Sequence, residues 1–445
     1  MSRITHYPEG SGRNPWFELS KYKNYKFKNI SELRDDYDLI IVGAGFGGVS
    51  AAFRAAEIKP ASKIALLDAL PVGYFSSGRN AGIISRIQTA KPIIGRNRFS
   101  IDDQKWLLRL NRLVFDRWDA IRKQKQLDFT WRQDGLYKAV VEKNNRQDLR
   151  ELALLLDRLD VEYTLYNSKE TAQRLGTDFY EESLFIDESV LINPSETIRG
   201  FASALPSNVD VFENTPVAEV HKGVRPYVVL TDGSQIKAER IILTVNAFIK
   251  DFGFSHITDP VTAIHSFGAL TRPLKDEELG ALKGVEPWAL TGTAPSSCTL
   301  RFTPDRRIFV QTDIAFATHL NINPERLSNA IPRLRTAFER RFPALKAVPF
   351  EYEYEGLIPF TVNTLPLFGE IAENIYAGTT SDGSGILRAS ILGNYLVDLI
   401  YKVESAELAY IKQNYHPAYL PPEPFRTVGA SAFLKYKDYQ AGIER

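Results

Sequence analysis

Short apolar runs and helical spacings divide the chain into elements. Residues 37–42 (YDLIIV) form a β-branched run that ends at glycines, the pattern of a strand buried on both faces. Small and apolar residues over 49–58 predict a closely packing helix, and 63–68 predict a second strand ending in an acid. Strand, glycine turn, helix and strand within about 30 residues make a βαβ unit. Helical spacing returns over 102–125, through Trp106, Leu110, Leu113 and Trp118, and over 147–159, through Leu152, Leu155, Leu156 and Leu159. Segments 136–141 and 161–166 read as strands. Segments 209–212, 217–221, 227–230 and 240–245 read as a small meander that returns to a buried strand. Later strands are expected at 265–271, 298–302, 307–311 and 351–357, with mostly loop and helix over 313–342 and a final helix over 384–403. Residues 1–35 lack a period and read as an extended arm; the Pro-rich stretch 416–425 reads as a surface run.

Between the first strand and its helix stands Gly43-Ala44-Gly45-Phe46-Gly47-Gly48, which fits G-x-G-x-x-G, and Asp68 follows twenty residues past Gly48. Glycine turns alone are common, but the strand before, the helix after and the acid at the next strand end supply the context of a dinucleotide fingerprint. The glycines permit a tight turn and let backbone approach a pyrophosphate at the helix N-terminus. Asp68 can accept hydrogen bonds from ribose hydroxyls, which disfavours a 2′-phosphate. These residues fit FAD and NAD equally. Ser76-Ser77-Gly78-Arg79-Asn80-Ala81-Gly82 then offers hydroxyl, amide and backbone donors close to the same turn. Gly383-Ser384-Gly385 opens the final helix, so its unpaired N–H groups and positive dipole end can face a flavin carbonyl.

Composition narrows the classes. With 55 basic against 54 acidic side chains the formal charge is +1, which argues against a nucleic-acid footprint and an acidic disordered tail. The 445 residues, 44% hydrophobic, allow one large or two to three average domains. A single cysteine, Cys298, precludes an intramolecular disulfide and a thiolate metal cluster. His6, His221, His256, His265, His319 and His416 show no ligand spacing, so no metal is expected. Neither a G-x-S-x-G elbow nor a P-loop is present. The first residues lack the apolar core of a secretory signal, and no run reaches the roughly 20 apolar residues that span a bilayer. The expectation is a cytoplasmic protein without a membrane span.

Taken with the fingerprint, the SSGRNAG segment resembles the D-amino-acid oxidase superfamily of FAD enzymes, in which a similar segment lies on the flavin side of the cofactor. Three further segments resemble that family: Thr244-Val245-Asn246-Ala247, the hairpin around Arg301, and Gly356 through Pro366 and Gly369 to Gly383-Ser384-Gly385. Within it the chain is most similar to bacterial gamma-glutamylputrescine oxidases and their relatives, which share the N-terminal arm, the Arg301 hairpin and a tail like residues 421–426. Glu355 and Asn363 depart from that pattern, where an aromatic residue and an aspartate are frequent. The resemblance implies an α/β fold: a Rossmann-type FAD-binding domain of the glutathione-reductase kind, interleaved with a β-sheet substrate domain. It assigns 36–125, 185–250 and 350–410 to the former, 126–184 and 251–349 to the latter, and 411–445 to a tail. It extends the cofactor contacts to Ala69, Val217, Asn246, Gly356, Ile386 and Leu387. Cys298 lies too far upstream of Gly383 to match the cysteine that anchors flavin in some relatives, so the FAD is expected to be non-covalent.

The implied chemistry is oxidation of a small amine or amino acid. A hydride passes from the carbon beside nitrogen to flavin N5, giving an imine that water hydrolyses. Oxygen or another acceptor then takes the electrons. The protein mainly supplies orientation and a dry pocket, and no strong base is required. Candidate substrate contacts are Arg301, whose fork matches a carboxylate, and Arg388, one turn into the final helix. His265 and Lys275 are further candidates, against which stand a core histidine and an exposed helix start before Asp276, Glu277 and Glu278. The rivals are a dehydrogenase serving a quinone or partner protein, a flavoprotein subunit without activity of its own, and a tRNA-modifying relative that the neutral charge disfavours. The sole methionine is Met1, and methionine and cysteine are the side chains peroxide oxidises most readily; their scarcity leans faintly towards an oxidase.

Overall fold

The computed structural model describes residues 3–87, 99–142, 145–293, 296–317, 320 and 324–444; His319 lies outside them. Its architecture is mixed α/β, with two eight-stranded sheets and a three-stranded one. Five parallel strands form the spine of the first sheet, in the order Val209–Phe212, Ile64–Leu67, Asp36–Val42, Gln235–Leu243 and Ile375–Thr379. Leu39, Ile40 and Ile41 are wholly buried, as a strand with elements on both faces requires. Val217–His221 and Tyr227–Leu230 extend the sheet as the antiparallel meander, and Leu367–Ala372 pairs with Ile375–Thr379.

One face of this sheet carries the helices Phe46–Ile58 and Gly385–Ile400, which cross closely. Small residues permit the crossing: a Cβ on Gly393 would overlap the carbonyl of Gly47. Polar groups fix the register there. Ser50 Oγ lies 3.0 Å from Ser390 O and 2.9 Å from Asn394 Oδ1, and the Trp118 indole N–H donates to Ser390 Oγ at 3.0 Å.

The second sheet runs Phe350–Phe360, Thr262–Thr271, Ile308–Phe316, Thr299–Phe302, Trp288–Gly292, Leu136–Val140, Glu182–Ile186 and Thr164–Asn167. Helix Pro324–Arg341 covers one face, burying Leu334, Ala337 and Phe338 against Leu290, Leu300 and Val310. The opposite face is turned to a cavity. Strand Phe350–Phe360, expected in the FAD-binding part, is instead the edge of this sheet. Strands Ile83–Ser85, Trp131–Arg132 and Ser189–Ile192 form the small third sheet and escape the sequence reading because they are only two to four residues long.

Both ends of the chain differ from expectation. Helix Pro15–Glu18, capped by Asn14, interrupts the arm, which bridges to the second sheet at Gly12 and Tyr354. Helix Gly385–Ile400 is not the last: Ala406–Asn414 and Phe425–Ala441 follow it. No helix among the described residues is long and apolar enough to cross a membrane.

The close crossing makes a specific prediction. Gly393→Ala should lower the unfolding free energy by about 1–3 kcal/mol, read as a shifted urea midpoint. Gly383→Ala, where an added Cβ meets nothing within 4 Å, should leave it unchanged.

Candidate functional site

Two cavities adjoin at the glycine turn. The larger, about 890 Å³, opens between the second sheet and the start of helix Gly385–Ile400; the smaller, about 130 Å³, lies over the end of strand Ile64–Leu67. They share Gly45, Ser76, Ser77, Thr244 and Asn246, so one extended molecule can occupy both. The larger volume is near the top of the range for ligand pockets, ~300–1,000 Å³.

Around the smaller cavity the turn is built without side chains. Gly43 has φ +100°, and a Cβ on Gly48 would overlap the Gly43 carbonyl, so Gly48 serves the turn itself and lines neither cavity. Thr244 Oγ1 clamps the turn by donating to Gly43 O at 3.0 Å. Gly45, the N-cap of helix Phe46–Ile58, brings no side chain to the cap; Ser77 Oγ accepts from Phe46 N–H at 3.4 Å, a long contact that a ligand can replace. Asp68 lines the smaller cavity with Ala69 and Val217, and accepts from Ala44 N–H at 2.8 Å and Leu70 N–H at 2.9 Å. Burial pushes its carboxyl up to about 6. An ionised carboxylate there has lone pairs left for two hydroxyl donors.

On the other side of the turn, Phe46, Gly47, Arg79, Asn80, Ala81 and Gly356 line the larger cavity. Asn80 Nδ2 donates to Ser77 O at 2.8 Å and its Oδ1 accepts from Gly82 N–H at 2.9 Å, which holds the 76–82 loop in shape. Arg79 is buried and spends its guanidinium on carbonyls: Ser11 O at 2.7 Å, Glu355 O at 2.9 Å and Gly12 O at 3.2 Å. It therefore ties arm, loop and second sheet together. Gly383, Ser384, Gly385 and Ile386 line the cavity from the helix start, where Asp382 Oδ1 accepts from Ser384 N–H at 2.9 Å. Gly78, Gly82 and Leu387 line neither cavity; Gly78 packs against Gly73, Gly82 against Arg301, and Leu387 into the core. Two helix N-termini turned to the cavities, an acid over the smaller one and glycine-lined access between them suit FAD: ribose at Asp68, pyrophosphate at the turn, flavin in the larger space.

The candidate substrate contacts Arg301, His265, Lys275 and Arg388 all lie outside the linings of both cavities. Arg301 lines neither cavity; its buried Nη1 donates to Ala81 O at 2.6 Å and Ile192 O at 2.8 Å, so the fork holds backbone. His265 is turned away by strand alternation, which sends Ile264 and Ser266 into the cavity; its ring nitrogens face Glu355 and Arg326. Lys275 is exposed at a short helix start, 3.9 Å from Glu277. Arg388, too, lines neither cavity: it is buried and pairs with Asp382 at 2.7 Å, steadying the turn that starts the helix. Cys298 is buried in the second sheet's far core and lines neither cavity.

Sequence reasoning missed the C-terminal helix. Phe425, Arg426, Ala430, Phe433 and Lys437 of Phe425–Ala441 line the larger cavity and cover it from outside. Glu444 latches its end, accepting from Glu142 N–H at 2.9 Å and Asn145 Nδ2 at 2.8 Å. The apolar period over 425–434 was readable, but the preceding prolines mark a surface run.

Comparison with known proteins agrees with this geometry. Residues 38–399 match the family described as FAD dependent oxidoreductase (DAO), and the chain belongs to that family. It is 23% identical over 406 residues to a probable oxidoreductase, OrdL, of Haemophilus influenzae, covering 87% of this chain and 88% of that protein. Among solved structures, glycine oxidase from Geobacillus kaustophilus superposes with a TM-score of 0.70 at 16% identity, covering 84% of this chain and 96% of the other. L-proline dehydrogenase from P. horikoshii gives 0.66 at 15%, covering 86% and 99%. The protein is an FAD-dependent oxidoreductase.

Two outcomes test the site. Ribose donors favour ionised Asp68, so binding FAD lowers its carboxyl below the apoprotein value of about 6. FAD affinity of the apoprotein should therefore be constant above pH 7 and weaken as the pH falls through 6, by at most tenfold per unit; Asp68→Asn should remove that dependence. Glu444→Ala should expose the helix Phe425–Ala441 to proteolysis several-fold faster than in the parent, with FAD content unchanged.

Proposed function

We propose that this protein oxidises a C–N bond of a small amine or amino acid. The observation that carries this reading is the large cavity that meets the fingerprint turn while presenting apolar walls from Ile83, Ile264, Ile314 and Phe316. Such walls favour the uncharged amine over its ammonium form, and the uncharged form is the one that can give up hydride. The relatives named for glycine and L-proline also act on molecules carrying an amine.

Bound FAD would supply the two-electron acceptor. The substrate loses a hydride from the carbon beside nitrogen and a proton from the nitrogen, becoming an imine that water cleaves to a carbonyl compound and a free amine. The chain's part is positional. The 76–82 loop and Gly356 hold one side of the reacting space, and helix Gly385–Ile400 turns its positive dipole end to a centre gaining negative charge, with Ser384 N–H held by Asp382. Arg388, fixed by Asp382, positions that turn. The C-terminal helix keeps bulk water from the cavity. Oxygen is the acceptor we favour, with peroxide as product. We take the FAD to be non-covalent; the one cysteine, Cys298, lies away from both cavities and offers it no thioether link.

Anaerobic mixing of the holoprotein with secondary amines, amine-terminated acids and amino acids should bleach the oxidised flavin band with at least one of them. Bleaching by none contradicts C–N oxidation. Under air, one peroxide per substrate consumed is expected; full turnover with an artificial quinone and little peroxide would make it a dehydrogenase.

A further inference from the structure

The cavity face of the second sheet carries a row of polar side chains that the reaction does not use. Strand register aligns Lys138 with Thr291, Thr291 with Thr299, and Thr299 with Gln311. Gln311 Nε2 then donates to Ser266 Oγ at 2.8 Å, and Ser266 pairs with Gly356 beside the 76–82 loop. Alternation points the intervening Tyr137, Leu290, Leu300 and Val310 into the opposite core, so the polar row is the cavity's own floor. It begins at the flavin side and ends at Lys138, five strand spacings of ~4.8 Å, or ~24 Å along the sheet.

Lys138 is unlike the cavity's other charged groups. Arg79 is spent on carbonyls, Asp382 on Arg388, Arg426 Nε on Pro421 O and Lys437 Nζ on Gln440. Lys138 Nζ has no hydrogen-bond or ion-pair partner among the described residues. Burial alone lowers its ammonium to about 8, with no carboxylate opposing. Hydroxyls lining the same cavity, Thr291 Oγ1, Ser296 Oγ and Thr312 Oγ1, are buried without partners among the described residues, and Thr291 stands in register beside Lys138. Unpaired buried donors are destabilising unless something fills them. One ammonium among neutral hydroxyls balances the single charge of a carboxylate; a phosphate dianion would leave a buried charge uncompensated.

The geometry points to Lys138 as an anion anchor at the far end of the cavity, selecting amines that carry a carboxylate remote from the reacting C–N bond. This rests on C–N oxidation as the reaction and adds the substrate's second functional group and its distance. The isoalloxazine takes the near part of the row, so the substrate bridges the remainder as an extended chain. The carboxylate would accept from Lys138 Nζ and from the Thr291 and Ser296 hydroxyls. Lys138 is then a specificity residue and takes no part in bond cleavage.

The test uses the FAD-loaded protein and N-methyl-ω-aminoalkanoic acids with three to ten methylenes, each beside its neutral methyl amide. Acids should give lower KM than their amides, with the advantage growing towards the longer chains. Lys138→Met should erase that advantage, raising KM for the best acid about 10- to 100-fold while leaving kcat and the amides unchanged; Lys138→Arg should keep most of it. Perturbation of the flavin spectrum by the matching N-free monocarboxylates should show the same loss without turnover. Equal KM for acids and amides in the parent protein overturns the proposal, as does an unchanged preference in Lys138→Met. The parent comparison stands even if Lys138→Met does not fold. If no member of either series reduces the flavin, but the monocarboxylates still bind through Lys138, it is C–N oxidation that fails and the anion anchor that survives.

Discussion

The site depends on how closely three pieces of backbone approach at the Gly43–Gly48 turn. Strand Asp36–Val42 ends there, Thr244 closes over it from the neighbouring strand, and helix Gly385–Ile400 crosses within touching distance of Gly47. Side chains at Gly43, Gly48 or Gly393 would force these segments apart. Their absence sets the helix N-terminus, Asp68 and the Gly383–Gly385 turn around one continuous space. The same closeness explains why the chain returns to this point three times, from residues 36–67, 235–244 and 375–400, instead of completing one sheet before starting another.

The second dependency is Arg79. Its guanidinium is buried, depressed below its ordinary value by desolvation, and satisfied by carbonyls of the arm and of strand Phe350–Phe360. A cation so placed couples the cofactor loop to the roof of the reacting space. Arg301 does the same one turn further on, joining the 81–82 backbone to Ile192. Both arginines read from sequence as ligand contacts. A guanidinium recognises a cluster of carbonyls as readily as a carboxylate, and only the three-dimensional arrangement says which it meets.

What was legible in the sequence was local. The βαβ unit, its turn and Asp68 lie within one stretch, so their spacing carries the geometry, and the helix after Gly383 declares itself by its small residues. The order of the second sheet was not legible, because it pairs Leu136–Val140 with Trp288–Gly292 across 150 residues and nothing local encodes that. For the same reason Lys138 was overlooked: a lysine alternating with apolar residues in a strand reads as a solvent-facing position. The face it occupies is lined by the C-terminal helix, whose apolar residues follow a Pro-rich run and lie 290 residues away. His265 was read both ways, and strand parity decides for the core.

The proposed function requires the two cavities to form one path, with cofactor across the turn and substrate along the sheet. A crystal structure of the FAD complex would show whether they do. Ribose hydroxyls are expected within hydrogen-bonding distance of Asp68, pyrophosphate against the Phe46–Ile58 helix start, and the isoalloxazine in the larger cavity with one face open towards the polar row. An FAD bound with its adenosine in the larger cavity, or with its ring sealed from that row, would contradict it.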